Sequence, residues 1–158
     1  MKIELLVDAV PRHSVDPVQR ALLDAAIEAL DRAYAPYSGF RVAAAVRLAN
    51  GSVVVGTNQE NASYPVGICA ERVALSTANS LAPGEVVEAM AITYRPSSGA
   101  ARAPLAPCGM CRQALVEQHA RQQSPLELIL AAEEGEVWRV ADARDLLPLA
   151  FTPADLNG

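Results

Sequence analysis

The sequence predicts an α/β fold: three layers, α/β/α, around a mixed five-stranded sheet. Three observations lead there. Stretches of helical and of strand periodicity follow one another in the order α-β-β-α-β-α-β-β. Such alternation needs helices on both faces of a sheet, and the strand-strand pairs make that sheet mixed rather than all parallel. The 158 residues are 51% hydrophobic and 20% charged, enough to bury a core without disulfide staples. The chain reads as one domain over residues 1–158, with residues 1–14 as an N-terminal extension of no assigned role.

The elements follow in order. Asp16-Pro17 pairs an N-cap residue with a first-turn proline. Apolar residues then recur at Val18, Ala21, Leu22, Ala25, Ala26, Ala29, Leu30 and Ala33, which predicts a helix to about Ala35. Residues 34–40 are a loop rich in aromatics. Arg41 to Leu48 and Ser52 to Gly56 read as strands joined by the hairpin signal Asn50-Gly51. A polar loop from Thr57 to Gly67 leads to a helix from Cys69 to about Leu81. Val86 to Tyr94 is a third strand, and Arg95 to Pro107 an extended loop. Cys108 to Arg121 reads as a third helix, and Leu126 to Ala132 and Glu136 to Val140 as two further strands turning at Gly135. From Asp142 onward the tail is short helical pieces broken by Pro148 and Pro153.

Composition narrows the function classes. Net charge is -5 with a single lysine, Lys2, and the arginines are scattered. No basic stripe is present to hold a phosphate backbone, so neither nucleic acid nor an anionic membrane is an expected partner. No apolar run approaches the ~20 residues that span a bilayer. The start MKIELLVDAVPRH lacks the pattern of a secretory signal, so the expected compartment is the cytoplasm. A small, uncharged or weakly charged substrate fits.

The chemistry concentrates in three cysteines, Cys69, Cys108 and Cys111, all at the expected starts of two helices. An odd number in a reducing compartment points to metal ligation or catalysis rather than to disulfides. Cys108 and Cys111 are spaced i, i+3 and so share a helical face. Helix N-termini carry partial positive charge and favour thiolates. Three soft ligands suggest zinc. There is no fourth cysteine, and His13 and His119 lie outside both motifs. Three protein ligands with one open position describe a catalytic zinc, whose water becomes a nucleophile near neutral pH. Glu71, two residues after Cys69, is the tethered proton acceptor. Because i and i+2 do not share a helical face, Cys69 must sit at the first turn or just before it. Three thiolates on a dication leave a net charge of about -1, which Arg72 and the helix N-termini would offset. A redox pair at Cys108 and Cys111 would leave Cys69 and Glu71 without a part.

These residues carry a resemblance. Cys69-Ala70-Glu71-Arg72, followed by Pro107-Cys108-Gly109-Met110-Cys111-Arg112-Gln113, resembles the zinc-dependent cytidine deaminases of the small homotetrameric type. Ala33-Tyr34-Ala35-Pro36-Tyr37-Ser38 with Phe40, the run Thr57 to Pro65, and Leu146-Leu147-Pro148 with Phe151 look like family segments in the right order. The resemblance spans nearly the whole chain. It implies a cytidine deaminase-like fold and the hydrolytic deamination of cytidine and deoxycytidine in pyrimidine salvage. It implies one Zn2+ per subunit on Cys69, Cys108 and Cys111, with Glu71 as proton shuttle to a zinc-bound hydroxide. By the same resemblance Asn58 and Glu60 hydrogen-bond the ribose, Phe40 packs against the nucleoside, and Ala70 offers backbone contacts to the pyrimidine. Tyr64 helps close the site. Phe151 stacks on the base from a neighbouring subunit, which implies a homotetramer with shared active sites. Tyr34 and Tyr37 read as ordinary core or interface aromatics.

Ala43 stands where the family commonly has glycine, Thr57 where it often has cysteine, Ala106 where it often has serine, and Met110 where a small residue is usual. None removes a ligand or the acid/base. Two other readings fit the same residues: a deaminase of another small aminated heterocycle, such as a nucleoside antibiotic, and a catalytically silent zinc-binding scaffold.

Overall fold

The computed structural model describes residues 2–101 and 103–156. The elements are β1 (Asp8–Pro11), α1 (Pro17–Ala29), β2 (Arg41–Leu48), β3 (Val53–Thr57), α2 (Ala70–Leu81), β4 (Val87–Arg95), α3 (Gly109–Gln122), β5 (Glu127–Ala131), β6 (Glu136–Val140) and α4 (Pro153–Leu156). Among the described residues six strands form one sheet in the order β1-β6-β5-β4-β2-β3. Only β4 and β5 pair in parallel, across the α3 crossover. The mixed α/β architecture is as expected, but the sheet has six strands rather than five. The sixth, β1, lies in the N-terminal stretch and pairs with β6 from Asp8↔Arg139 to Pro11↔Glu136. Four residues are too few to display a period, and Pro11 is tolerated because β1 is an edge strand.

Local chemistry accounts for the element starts. Asp16 Oδ1 accepts from Val18 N and Gln19 N, both at 2.9 Å, and caps α1. Gly51 takes φ +85, and Asn50 Oδ1 accepts from Ser52 N, which sets the β2–β3 hairpin. The first helix ends earlier than its pattern predicts. After Ala29 a 3-10 turn covers Leu30–Arg32. Tyr34 then runs extended, donating from N to Asn58 O and accepting at O from Glu60 N. Long-range pairing here overrides helix propensity.

The sheet is covered on both sides. On one face Val46, Leu48, Met90, Ile92, Leu128 and Leu130 pack with Ala74, Leu75 and Ala78 of α2 and Leu115 of α3. On the other, Ala45, Ala89, Ala91, Ile129 and Ala131 pack with Leu22, Leu23 and Ala26 of α1. Sheet neighbours alternate between the two sets, as the pleat requires. Ala43 is buried against Ala29 and Leu30, so its methyl fills the seam at the end of α1.

Two features bring the functional helices together. Strands β3 and β4 both run antiparallel to β2, so α2 and α3 both start from the same end of the sheet. Gly56 lets α2 press onto β3. A Cβ there would lie 2.4 Å from Ala74 N and 2.6 Å from Ala70 O, both backbone atoms.

Candidate active site

Cys69 is the N-cap of α2 and Cys108 the N-cap of α3, each extended and without a side-chain cap bond. This meets the condition that Cys69 stand just before its helix. The segment before Cys69 is held to the exit of β3, because Gln59 and Ile68 exchange both backbone hydrogen bonds at 2.9 and 3.0 Å. The segment before Cys108 is held by Arg112, which donates to Pro107 O at 2.8 Å and to Leu146 O at 3.2 Å. The three sulfurs converge: Cys69 Sγ to Cys108 Sγ is 3.8 Å, Cys108 Sγ to Cys111 Sγ is 3.5 Å, and all lie within 4.8 Å of one another. A tetrahedral zinc with metal–sulfur bonds of about 2.3 Å has sulfur–sulfur edges of about 3.8 Å. The donor set therefore fits zinc, and no fourth such donor joins it among the described residues.

The electrostatics agree with the geometry. The Cys69 thiol is lowered to about 5, first by its hydrogen bond with Cys111, helped by Cys108 and Arg72. Cys111 is pushed up, first by the same bond to Cys69 and then by burial. Three thiolates this close repel one another, so a cation among them is what would hold all three deprotonated. Glu71 is 4% exposed. Burial pushes its carboxyl above the usual carboxylate range, a hydrogen bond from its own backbone N–H opposes this, the neighbouring Cys69 charge adds to the rise, and a hydrogen bond with Cys111 again opposes it. A carboxyl in this state can hold and release a proton beside the metal position. The Arg72 guanidinium, in the same first turn as Glu71, contributes to lowering the Cys69 thiol, as a counter-charge should.

A cleft of about 380 Å³ opens beside Cys69. Asn58, Glu60 and Tyr64 line it together with Tyr37, Ser38 and Gln59. Tyr64 is 75% exposed, and its ring centroid is 6.0 Å from that of Tyr37 across the mouth. Asn58 clamps the start of β2: its Nδ2 donates to Phe40 O at 2.9 Å and its Oδ1 accepts from Val42 N at 2.8 Å. Glu60 accepts from Tyr37 N, Ser38 N and Ser38 Oγ. A larger, shallow depression of about 850 Å³ lies against β1, far from the sulfurs. Its cations are engaged, Arg12 on Ala132 O and Arg20 on His13 O and Val15 O, so we assign the chemistry to the smaller cleft.

The structure therefore brings Cys69, Cys108, Cys111, Glu71 and Arg72 into one group, with Asn58, Glu60 and Tyr64 in the adjoining cleft. The other expected residues stand differently. Phe40 is half-buried and stacks on Tyr94, centroids 5.2 Å apart. Ala70 is fully buried in the first turn of α2. Phe151 is 59% exposed and outside this cleft, its carbonyl accepting from Gln113 Nε2. Met110, between two ligands, is exposed. Tyr37 and Ser38 were missed as cleft residues. Their place in the aromatic loop two to three residues before Phe40 was the available signal.

Comparison with known proteins follows the same lines. Residues 17–124 match the family described as the cytidine and deoxycytidylate deaminase zinc-binding region. A cytidine deaminase of Halalkalibacterium halodurans is 38% identical over 139 residues, 88% of this chain and 98% of that protein. The crystal structure of cytidine deaminase from Burkholderia pseudomallei superposes with a TM-score of 0.72 at 44% identity, covering 83% of this chain and 97% of that one. That of cytidine deaminase from Mycobacterium tuberculosis gives 0.66 at 33% identity, over 87% and 99%. With a matching family region over most of its length, and a three-sulfur group where that family binds zinc, the chain belongs to the cytidine and deoxycytidylate deaminase family.

Proposed function

We propose that this protein hydrolytically deaminates cytidine and deoxycytidine to the uracil nucleosides and ammonia, as a cytoplasmic homotetramer whose subunits each act as one domain over residues 1–158. The observation that carries the reading is the buried carboxyl of Glu71 beside three convergent sulfurs that no fourth such donor joins among the described residues. No helix among the described residues is long and apolar enough to cross a membrane.

Cys69, Cys108 and Cys111 would hold one zinc ion, which when bound would supply a Lewis acid that makes a water a better proton donor and nucleophile. Glu71 takes a proton from the attacking water and passes it to N3 while the water oxygen bonds to C4 of the pyrimidine. Glu71 then moves the remaining hydroxyl proton to the exocyclic nitrogen. The C4–N bond breaks, ammonia leaves, and C4 keeps the oxygen as a carbonyl. The raised proton affinity of the buried carboxyl suits both transfers. Arg72 and the starts of α2 and α3 offset the sulfur charge. Asn58 and Glu60 hold the sugar, so binding energy remote from C4 orients the base. Phe40 flanks the nucleoside, the Ala70 backbone meets the pyrimidine, and Tyr64 closes the cleft. Phe151, exposed and outside its own subunit's cleft, reaches the base of a neighbouring subunit.

The test is a zinc assay on purified protein run beside loss of cytidine absorbance, with cytidine, deoxycytidine, cytosine and CMP compared. The reading expects one zinc per chain and turnover of both nucleosides. Zinc without turnover would mark a silent scaffold, and preference for the free base or the monophosphate would overturn the sugar assignment. Light scattering decides the subunit number.

A further inference from the structure

Ser38 bonds at once to a carboxylate of the cleft and to the backbone that enters β2. Its hydroxyl donates to Glu60 Oε1 and accepts from Phe40 N at 3.0 Å. Its backbone N–H, with that of Tyr37, donates to Glu60 Oε2 at 3.2 and 2.8 Å. A carboxylate has about four acceptor sites. Three are taken by this loop, which leaves one on Oε1 for a donor in the cleft. We propose that Ser38 is a positioning residue: its hydroxyl ties the Glu60 carboxylate to the Phe40 amide, so that the acceptor meeting the sugar and the ring flanking the nucleoside are set as one unit.

Three observations support the coupling. Ser38 and Glu60 line the cleft together. Asn58, the other sugar-binding residue, holds the carbonyl of the same Phe40 whose N–H is held by Ser38, so the backbone of Phe40 is clamped from both sides. The turn between them is specific: Gly39 takes φ +66, and a Cβ there would lie 2.8 Å from Ser97 Cβ. The Ser38 bond is also the main cause that keeps the Glu60 carboxyl below its usual range, so Glu60 is held as an acceptor only. A sugar hydroxyl must then donate to it. The inference rests on the reading of Glu60 as a sugar contact.

The experiment is a cycle of Ser38→Ala, Glu60→Gln and the double variant, with Ser38→Thr as rescue, measured on zinc-loaded protein with cytidine. Loss of one charge-assisted hydrogen bond should raise KM about tenfold in Ser38→Ala while kcat falls less than threefold. Ser38→Thr keeps the hydroxyl and should restore most of that loss. In the Glu60→Gln background, Ser38→Ala should add little further rise. If Glu60→Gln raises KM but Ser38→Ala does not, or if the two effects simply add, the positioning role is wrong and the sugar contact stands. If Glu60→Gln itself leaves KM unchanged, both fall together. Equal loss of kcat and zinc in Ser38→Ala, unrescued by threonine, would reduce Ser38 to a general folding contact.

Discussion

Glu71 and Cys69 are two residues apart, yet their proton affinities move in opposite directions. The carboxyl rises because it is buried, and the thiol falls because neighbouring thiols and a guanidinium stabilise its charge. The proposed mechanism uses the first as a proton carrier and the second as a ligand, by environment rather than by residue type. Replacing Glu71 with glutamine keeps size and burial and removes the carrier. We expect Glu71→Gln to retain zinc by metal analysis and its melting temperature within a few degrees, while kcat falls about 10³-fold. Both pieces of that outcome matter: zinc loss would make Glu71 a structural residue of the site.

At the scale of elements, helix starts carry the three sulfurs and strand contacts aim them. The first turn of α2 reaches the sulfurs because β3 offers a glycine under it. Gly56→Ala would drive a methyl into the α2 backbone, which cannot yield as a flexible side chain would. A loss of about 3 kcal/mol in denaturant unfolding is expected, with weaker zinc retention, since the displaced helix carries Cys69. On the opposite side Arg95 links elements by charge, bonding Glu133 through Nε at 2.8 Å and NH2 at 2.7 Å, and Asp31 through NH1 at 2.7 Å. The Arg95 bond holds the Glu133 carboxyl below its usual range. Its folded affinity for protons is therefore weaker than its unfolded one, so its contribution is present above the ordinary carboxylate range and is lost as pH falls through the lowered folded value. The pair is partly exposed and solvent-screened, so Glu133→Gln should cost about 0.5 kcal/mol at neutral pH. In unfolding measurements that difference should shrink as pH falls below the ordinary carboxylate range and vanish only once pH is below the lowered folded value.

Across the whole molecule, β1 covers β6 as the outermost strand, and without it the β6 backbone becomes an open edge. The strand lies far from the sulfurs. Removal of residues 1–11 should leave zinc content and kcat/KM for cytidine within about twofold, while lowering the melting temperature and promoting aggregation on concentration. A loss of activity equal to the loss of stability would tie the extension to the site. His119 illustrates a structural role at this scale. Its Nε2 lies 3.2 Å from an Arg144 guanidinium nitrogen, and Arg144 Nε is 2.9 Å from Asp142, so the ring ties the segment after β6 to α3.

What the sequence determined by itself was local. The i, i+3 cysteines, the cysteine–glutamate spacing, the capped first helix and the Asn-Gly hairpin are each set within a few residues by helix pitch or turn geometry, so spacing alone reveals them. The helical and strand patterns likewise yielded the mixed sheet with two covered faces. Only the tertiary structure decided the rest. It converted Ala33 to Ala35 from helix to extended chain, added β1, and turned Tyr37 and Ser38 toward the cleft. It also occupied Asn58 and Glu60 with the 37–42 backbone. Each of these depends on a partner distant in sequence, such as β6 for β1 or Glu60 for Ser38. No local period records a bond whose other half lies more than fifteen residues away.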